Sequence, residues 1–194
     1  MIDLIISNTL KPLIKFGYSI YGRFIYYSLQ EVIGKSQLKR IGKAGANCII
    51  HGSITIHNPE RLELGDHVRI GTNCFLFCLG GLKIGRNTQL SRNITIYTAN
   101  HNIEGNAIPY DNTYINKSVE IGESVWIGMN VCVIPGVKIG DGAIIGMGTV
   151  VSKNVLPGEI VVGSEQRVIK KRNMDTFYHM KNEELFFGKK WPNL

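Results

Sequence analysis

Residues 121–155 read IGESVWIGMNVCVIPGVKIGDGAIIGMGTVVSKNV, and an aliphatic side chain returns at every sixth position: Ile121, Ile127, Val133, Ile139, Ile145 and Val151. Glycine follows it at Gly122, Gly128, Gly140 and Gly146. Four residues after each aliphatic stands a small or branched residue: Val125, Val131, Val137, Ala143, Thr149 and Val155. A helix repeats near 3.6 residues and a strand near 2, so a strict six belongs to neither alone. One short strand plus one turn, repeated, satisfies it, and this is the hexapeptide signature of a parallel β-helix. Each hexad is one flat side of a three-sided prism. The aliphatic residue points inward, the small residue fits the corner, and glycine serves where a side chain would crowd the turn or where φ is positive. Three hexads close one coil, and coils stack at the strand spacing of about 4.8 Å. No coil buries its apolar face alone, so stability accumulates through neighbours.

The repeat extends back towards the N-terminus. Leu64-Gly65, Ile70-Gly71, Leu76, Ile84-Gly85, Leu90 and Ile96 carry it, with an apparent two-residue slip where Leu82 is in step but Ile84-Gly85 matches better. Ile41-Gly42 opens the series, and Cys48 to Ile56 alternates as strands do. Between Ile96 and Ile121 the step fails. The intervening YTANHNIEGNAIPYDNTYINKSVE is polar and rich in Asn, which reads as a loop over residues 97–118 that leaves the side of the prism. Loops of this length in compact domains are usually functional.

The flanks differ. Residues 1–40 are apolar and aromatic but carry Asp3, Lys11, Lys15, Arg23 and Glu31, which breaks up any span of about 20 apolar residues. They lack a small-residue cleavage site after a compact apolar run. They read as a helical segment, divided by Pro12 and Gly17, that packs on the prism end or on a neighbour. A second reading is an amphipathic membrane-surface anchor, because Tyr and Phe lie near Lys and Arg. The resulting organisation is 1–40 helical, 41–163 prism, and 164–194 a tail with a short helix around Asp175 to Phe187.

Composition narrows the class. The 194 residues suit one domain with short appendages. The net charge of +7, from 22 Lys and Arg against 15 Asp and Glu, comes without a nucleic-acid module, and suits an anionic small ligand or an anionic membrane face. Cys48, Cys74, Cys78 and Cys132 form no CxxC pair and read as reduced core or near-core residues of a cytoplasmic protein. No metal is expected.

The string YTANH, then VWIG, VIPGVKIGDGAIIGMGTVVSK, and RVIKK after Gly163 resembles the hexapeptide-repeat acyltransferases, in particular the maltose and galactoside O-acetyltransferases and the streptogramin acetyltransferases. The resemblance covers roughly residues 60 to 172. It implies an all-β, left-handed parallel β-helix with helical segments at both ends, a homotrimer, and acetyl-CoA held as co-substrate in a groove between neighbouring prisms. His101 lies in the one long interruption, between Asn100 and Asn102, and a histidine suits proton transfer near neutral pH. The resemblance makes it the catalytic base. It also implies a cofactor groove: Trp126 near the acceptor and pantetheine arm, Met129 and Met147 against pantetheine, Ser152 and Lys153 at a CoA phosphate, and Arg167 and Lys170 near the adenosine end. Basic side chains there suit the phosphates of CoA. His51, His57, His67 and His179 fall outside the matched motifs and are expected on exposed faces. Two positions depart from the family pattern. The asparagine opposite the histidine falls near Gly71, with Asn73 close but not aligned, and GSEQR lacks the usual proline.

The function this implies is transfer of acetyl from acetyl-CoA to a hydroxyl of a sugar or surface-polysaccharide precursor, in the cytoplasm or at the membrane periphery. N-acetylation of an amino sugar would use the same machinery. A serine acetyltransferase fits less well, since those chains resemble ones with a longer helical N-terminal domain. The anhydrase branch of the fold needs three metal-bound histidines, two of them five apart, and no such pair occurs. A non-catalytic prism would bind no CoA.

Overall fold

The computed structural model describes residues 11–163 and 173–185. Strands of two or three residues wind into three parallel sheets. Face A holds Lys43–Ala44, Leu62–Leu64, Leu82–Ile84, Val119–Ile121 and Lys138–Ile139. Face B holds Ile49–Ile50, Arg69–Ile70, Gln89–Leu90, Trp126–Ile127, Ile144–Ile145 and Ile160–Val161. Face C holds Thr55–His57, Phe75–Phe77, Thr95–Tyr97, Cys132–Val133 and Val150–Val151. The expected three-sided solenoid is therefore observed.

Register follows from the hexads. Along face B, Ile70 pairs with Leu90, Leu90 with Ile127 and Ile127 with Ile145. Along face C, Leu76, Ile96, Val133 and Val151 stack in the same way. Leu64, Ile84, Ile121 and Ile139 do so along face A. These three apolar columns form one core, and the corner residues Val125, Val131, Val137, Ala143, Thr149 and Val155 are buried beside them. A slip by one residue would turn each column outward, so this register is strongly specified.

Two turn positions carry separate demands. The glycine after the aliphatic is there for close approach, because a Cβ on Gly85 would overlap the Gly122 backbone. Positive φ falls two residues later instead, at Ser124, Asn130, Gly142 and Gly148. Asn73, Asn93 and Asn130 share that left-handed geometry on successive coils and bond side chain to side chain, at 2.9 and 3.0 Å.

The apparent slip at Leu82 and Ile84 has a simple cause. The three inner strands of face A are three residues long with both ends inward, so Leu62 and Leu64, Leu82 and Ile84, and Val119 and Ile121 are all buried. Coil length varies accordingly. Asn73 bonds Asn93, 20 residues on, whereas Glu123 bonds Asp141, 18 residues on.

The N-terminal segment departs from expectation. Among the described residues one helix, α1, runs Lys11–Leu38, so Gly17 does not divide it, while the segment before Lys11 that bears on Pro12 lies outside the described residues. An isolated Gly17 costs only about 1 kcal/mol against Ala. The C-terminal end of α1 lies against the Ile49–Ile50 strand. The second helix, α2, spans Met174–Asn182, shorter than the expected Asp175 to Phe187. Asn173 caps it by accepting a bond from the Thr176 N–H at 3.0 Å. Phe187 lies outside the described residues.

Candidate active site

The interruption after Ile96 is a hairpin rather than a featureless loop. Ala99–His101 pairs antiparallel with Tyr114–Asn116, and His101 sits directly opposite Tyr114. Its coil spans 37 residues, as the bond from the Val125 N–H to Thr88 Oγ1 shows. Asp111, buried at the tip, accepts from the Thr113 N–H at 2.9 Å and from its hydroxyl at 2.6 Å. Gly105 leaves room for the Asp111 carboxylate, since a Cβ there would overlap it. The Ile108 N–H donates to Leu185 O at 2.7 Å, tying the tip to the segment after α2.

His101 is half-buried, not the freely exposed loop residue that polarity alone suggests. Its ring stacks on Tyr110 with centroids 3.7 Å apart at 15°, and tilts against Tyr114 at 4.5 Å. Burial pushes its pKa below the ordinary imidazole value, so the neutral form is favoured. A cavity of about 410 Å³ opens beside it, lined by Asn100, His101, Ile103, Ile115, Lys117, Ile134 and Pro135. Lys117 is exposed and makes no salt bridge with a described residue. Rings continue from Tyr114 across the outside of face C. Tyr114 meets Phe77 at 5.7 Å, Phe77 meets Tyr97 at 5.4 Å, and Tyr97 stacks on Phe75 at 5.5 Å.

The residues proposed from sequence divide between two corners of the prism. Ser152 and Lys153 follow face C, and the bond from the Ile134 N–H to Val151 O at 3.2 Å places them one coil beyond Ile134 and Pro135. They share the corner of His101. Lys153 is exposed and, like Lys117, forms no salt bridge with a described residue. Trp126 lies on face B, and Met129 and Met147 turn the corner between faces B and C on successive coils, joined by a 2.9 Å bond from the Gly148 N–H to Met129 O. All three side chains are exposed. A single chain therefore does not bring Trp126, Met129 and Met147 to His101. Arg167 and Lys170, and the GSEQR segment after Gly163, lie outside the described residues.

The model of the bacterial transferase hexapeptide (six repeats) matches residues 111–153. Nodulation protein L of Rhizobium meliloti is 33% identical over 134 residues, covering 66% of this chain and 69% of that protein. A maltose O-acetyltransferase from Clostridium difficile superposes with a TM-score of 0.60 at 31% identity, covering 71% of this chain and 73% of that one. The chain belongs to the bacterial hexapeptide-repeat transferase family. In a further family member, an acetyltransferase of Vibrio cholerae crystallised with acetyl-CoA, the match has a TM-score of 0.61 at 25% identity and covers 70% of this chain and 73% of that one. A putative colanic acid biosynthesis acetyltransferase of Escherichia coli is 31% identical over 89 residues, 46% of this chain, and the match spans about half of that protein, 47%.

Other features of this hexapeptide-repeat chain limit its chemistry. Cys74 and Cys78 are buried, and burial, with Glu60 adding to it, pushes the Cys78 thiol up to about 12. Burial also raises Cys74. Thiols held protonated are poor nucleophiles. His51, His57, His67 and His179 are exposed, as expected. Gly71 and Asn73 sit between faces B and C, and the Asn73 amide is spent on Asn93, so neither faces His101. A larger cavity, about 570 Å³, is a trough along face A. There Lys43, Glu63, Lys83, Glu120 and Lys138 alternate in sign from coil to coil, with Lys83–Glu63 at 3.8 Å and Lys138–Glu120 at 3.2 Å. These five charges alternate with one lysine in excess, and no histidine lines the trough. Sequence reading missed Tyr110, Tyr114, Lys117, Ile134 and Pro135. The outward rings were partly legible, because Phe75, Phe77 and Tyr97 alternate with the inward Leu76 and Ile96.

Proposed function

We propose that this chain is an acetyl-CoA-dependent O-acetyltransferase acting on a sugar or a surface-polysaccharide precursor. The observation that carries the reading is His101, packed against two tyrosines at the mouth of a 410 Å³ cavity, where burial favours its neutral form. Neutral imidazole is the form that accepts a proton. The acceptor hydroxyl gives its proton to His101 while its oxygen attacks the thioester carbonyl. The carbon–sulfur bond then breaks, and the imidazolium returns the proton to the departing sulfur. His101 thus ends as it began, and no residue is acylated. Acetyl-CoA supplies the activated acyl group.

The chain's residues fit that co-substrate. The exposed ammonium groups of Lys117 and Lys153, unbridged among the described residues, suit phosphate, and Arg167 and Lys170 are proposed to hold the adenosine end. Trp126, Met129 and Met147 present an exposed apolar strip suited to the pantetheine arm. Because that strip lies away from His101 in one chain, the active form is proposed to be a homotrimer in which neighbouring prisms complete each site. The ring track from Tyr114 to Phe75 supports a carbohydrate acceptor, since polarised sugar C–H groups stack on the negative face of aromatic rings.

The test is thiol release from acetyl-CoA with a panel of hydroxyl and amino sugars, beside calorimetric titration with CoA. Turnover with hydroxyl acceptors supports the reading. Turnover confined to amino sugars replaces it with N-acetylation. No affinity for CoA leaves a non-catalytic prism.

A further inference from the structure

The helix α1 is inverted. At 100° per residue, Gln30, Gly34 and Gln37 fall on one side and Tyr21, Phe24, Ile25 and Val32 on the opposite one. The polar and glycine side faces the prism. Gln30 Oε1 accepts from the Ser53 N–H at 3.2 Å, and Gln37 Nε2 donates to Ile54 O at 2.8 Å. Gly34 lies so close to Ile50 that a Cβ would overlap its carbonyl oxygen. The apolar side faces water. Phe24 is 70% exposed, Tyr21 68%, Val32 63% and Ile25 47%, with Ile20 and Leu29 exposed on the flanks. A surface helix buries its apolar face against something, and here the prism is not that partner.

Charge distinguishes the occupant. Residues 11–40 carry Lys11, Lys15, Arg23, Lys35, Lys39 and Arg40 against one acid, Glu31, which is already engaged by Lys35 at 2.7 Å. Packing such helices of several copies together would concentrate like charge, whereas anionic headgroups neutralise it. Tyr21 adds the ring-and-hydroxyl character favoured at a membrane–water interface. No described helix is long and apolar enough to cross a membrane. We propose that the outward face of α1 docks this protein on the surface of an anionic lipid bilayer. The proposal stands independently of the acetyltransferase reading.

The test is flotation of the full chain with vesicles of phosphatidylcholine, with and without phosphatidylglycerol. Wild type is expected to float with phosphatidylglycerol vesicles, and more weakly at high salt. Phe24→Ser combined with Val32→Ser is expected to weaken partition at least about tenfold, because two large apolar side chains no longer enter the lipid. Leu156→Ser, an exposed apolar residue of the prism, is expected to leave it unchanged. Phe24→Trp gives a second readout that keeps an apolar ring, a blue shift of emission on adding the anionic vesicles. Absence of flotation and of the blue shift overturns the proposal. So does a double variant that floats like wild type. A double variant whose molar mass falls in lipid-free solution also overturns it, by showing that α1 covers another copy of the chain.

Discussion

Replacing His101 with Ala and, separately, with Phe separates the proton-transfer role of the residue from its packing role. The structure sets both magnitudes. The imidazole stacks on Tyr110 at 3.7 Å and tilts against Tyr114 at 4.5 Å, and aromatic pairs contribute about 0.5–1.5 kcal/mol each. Losing both in His101→Ala costs the hairpin about 1–3 kcal/mol. The prism survives, because no hairpin residue belongs to the contiguous core and a domain's total stability is about 5–15 kcal/mol. Lost general-base catalysis lowers kcat by about 10²–10⁴, equivalent to about 3–5 kcal/mol of barrier. His101→Phe keeps a ring between the tyrosines but takes no proton. It is therefore expected to recover most of the stability and none of the rate. His101→Asn can hydrogen-bond but not act as base, and it too is expected to stay slow. The assay is acetyl-CoA-dependent thiol release with a surrogate sugar at high concentration, with thermal melting and CoA titration on the same preparations. An Ala or Phe variant within a few-fold of wild type that binds CoA normally would refute the assignment of His101 as base.

The wild-type rate is expected to rise with pH through one ionisation lying below the ordinary imidazole pKa of about 6.5, then level off, because burial disfavours the protonated form. The same shift predicts that stability is full above the ordinary value and declines as acid protonates the folded imidazole, which pH-dependent melting of wild type against His101→Phe will measure. Lys153→Ala and Arg167→Ala are each expected to raise the KM for acetyl-CoA with a smaller change in kcat, and to flatten its salt dependence, since each contact to phosphate contributes about 1.5–3 kcal/mol. An unchanged KM in both at low salt would make them ordinary surface charges. Ile127→Ala, fully buried in the face B column between Leu90 and Ile145, is expected to cost about 2–5 kcal/mol, read as a fall in Tm by circular dichroism. A fall no larger than that of an exposed Ile160→Ala would show that the column is not close-packed.

Much of the fold was legible in the chain. The step from Ile121 to Val151, the corner residues from Val125 to Val155 and the glycines between them are local properties, and a six-residue period admits few backbones that bury every aliphatic at once. His101 stood out for a similarly local reason, as the chemistry-bearing residue in the one long break of the repeat. The tertiary structure decided what lies beside what. Tyr110 and Tyr114 reach His101 because the break folds into a hairpin, and Ser152 and Lys153 share its corner because Val151 is in register with Val133. Trp126 falls on another face for the same kind of reason. Coil neighbours are 16, 18, 20 or 37 residues apart, according to how many residues each turn absorbs. The inverted face of α1 was hidden because periodicity marks an apolar stripe without saying which way it points. Gly34 against Ile50, and the Gln30 and Gln37 bonds to the first coil, turn that stripe towards water. Those contacts join residues distant in sequence, so no local pattern encodes them.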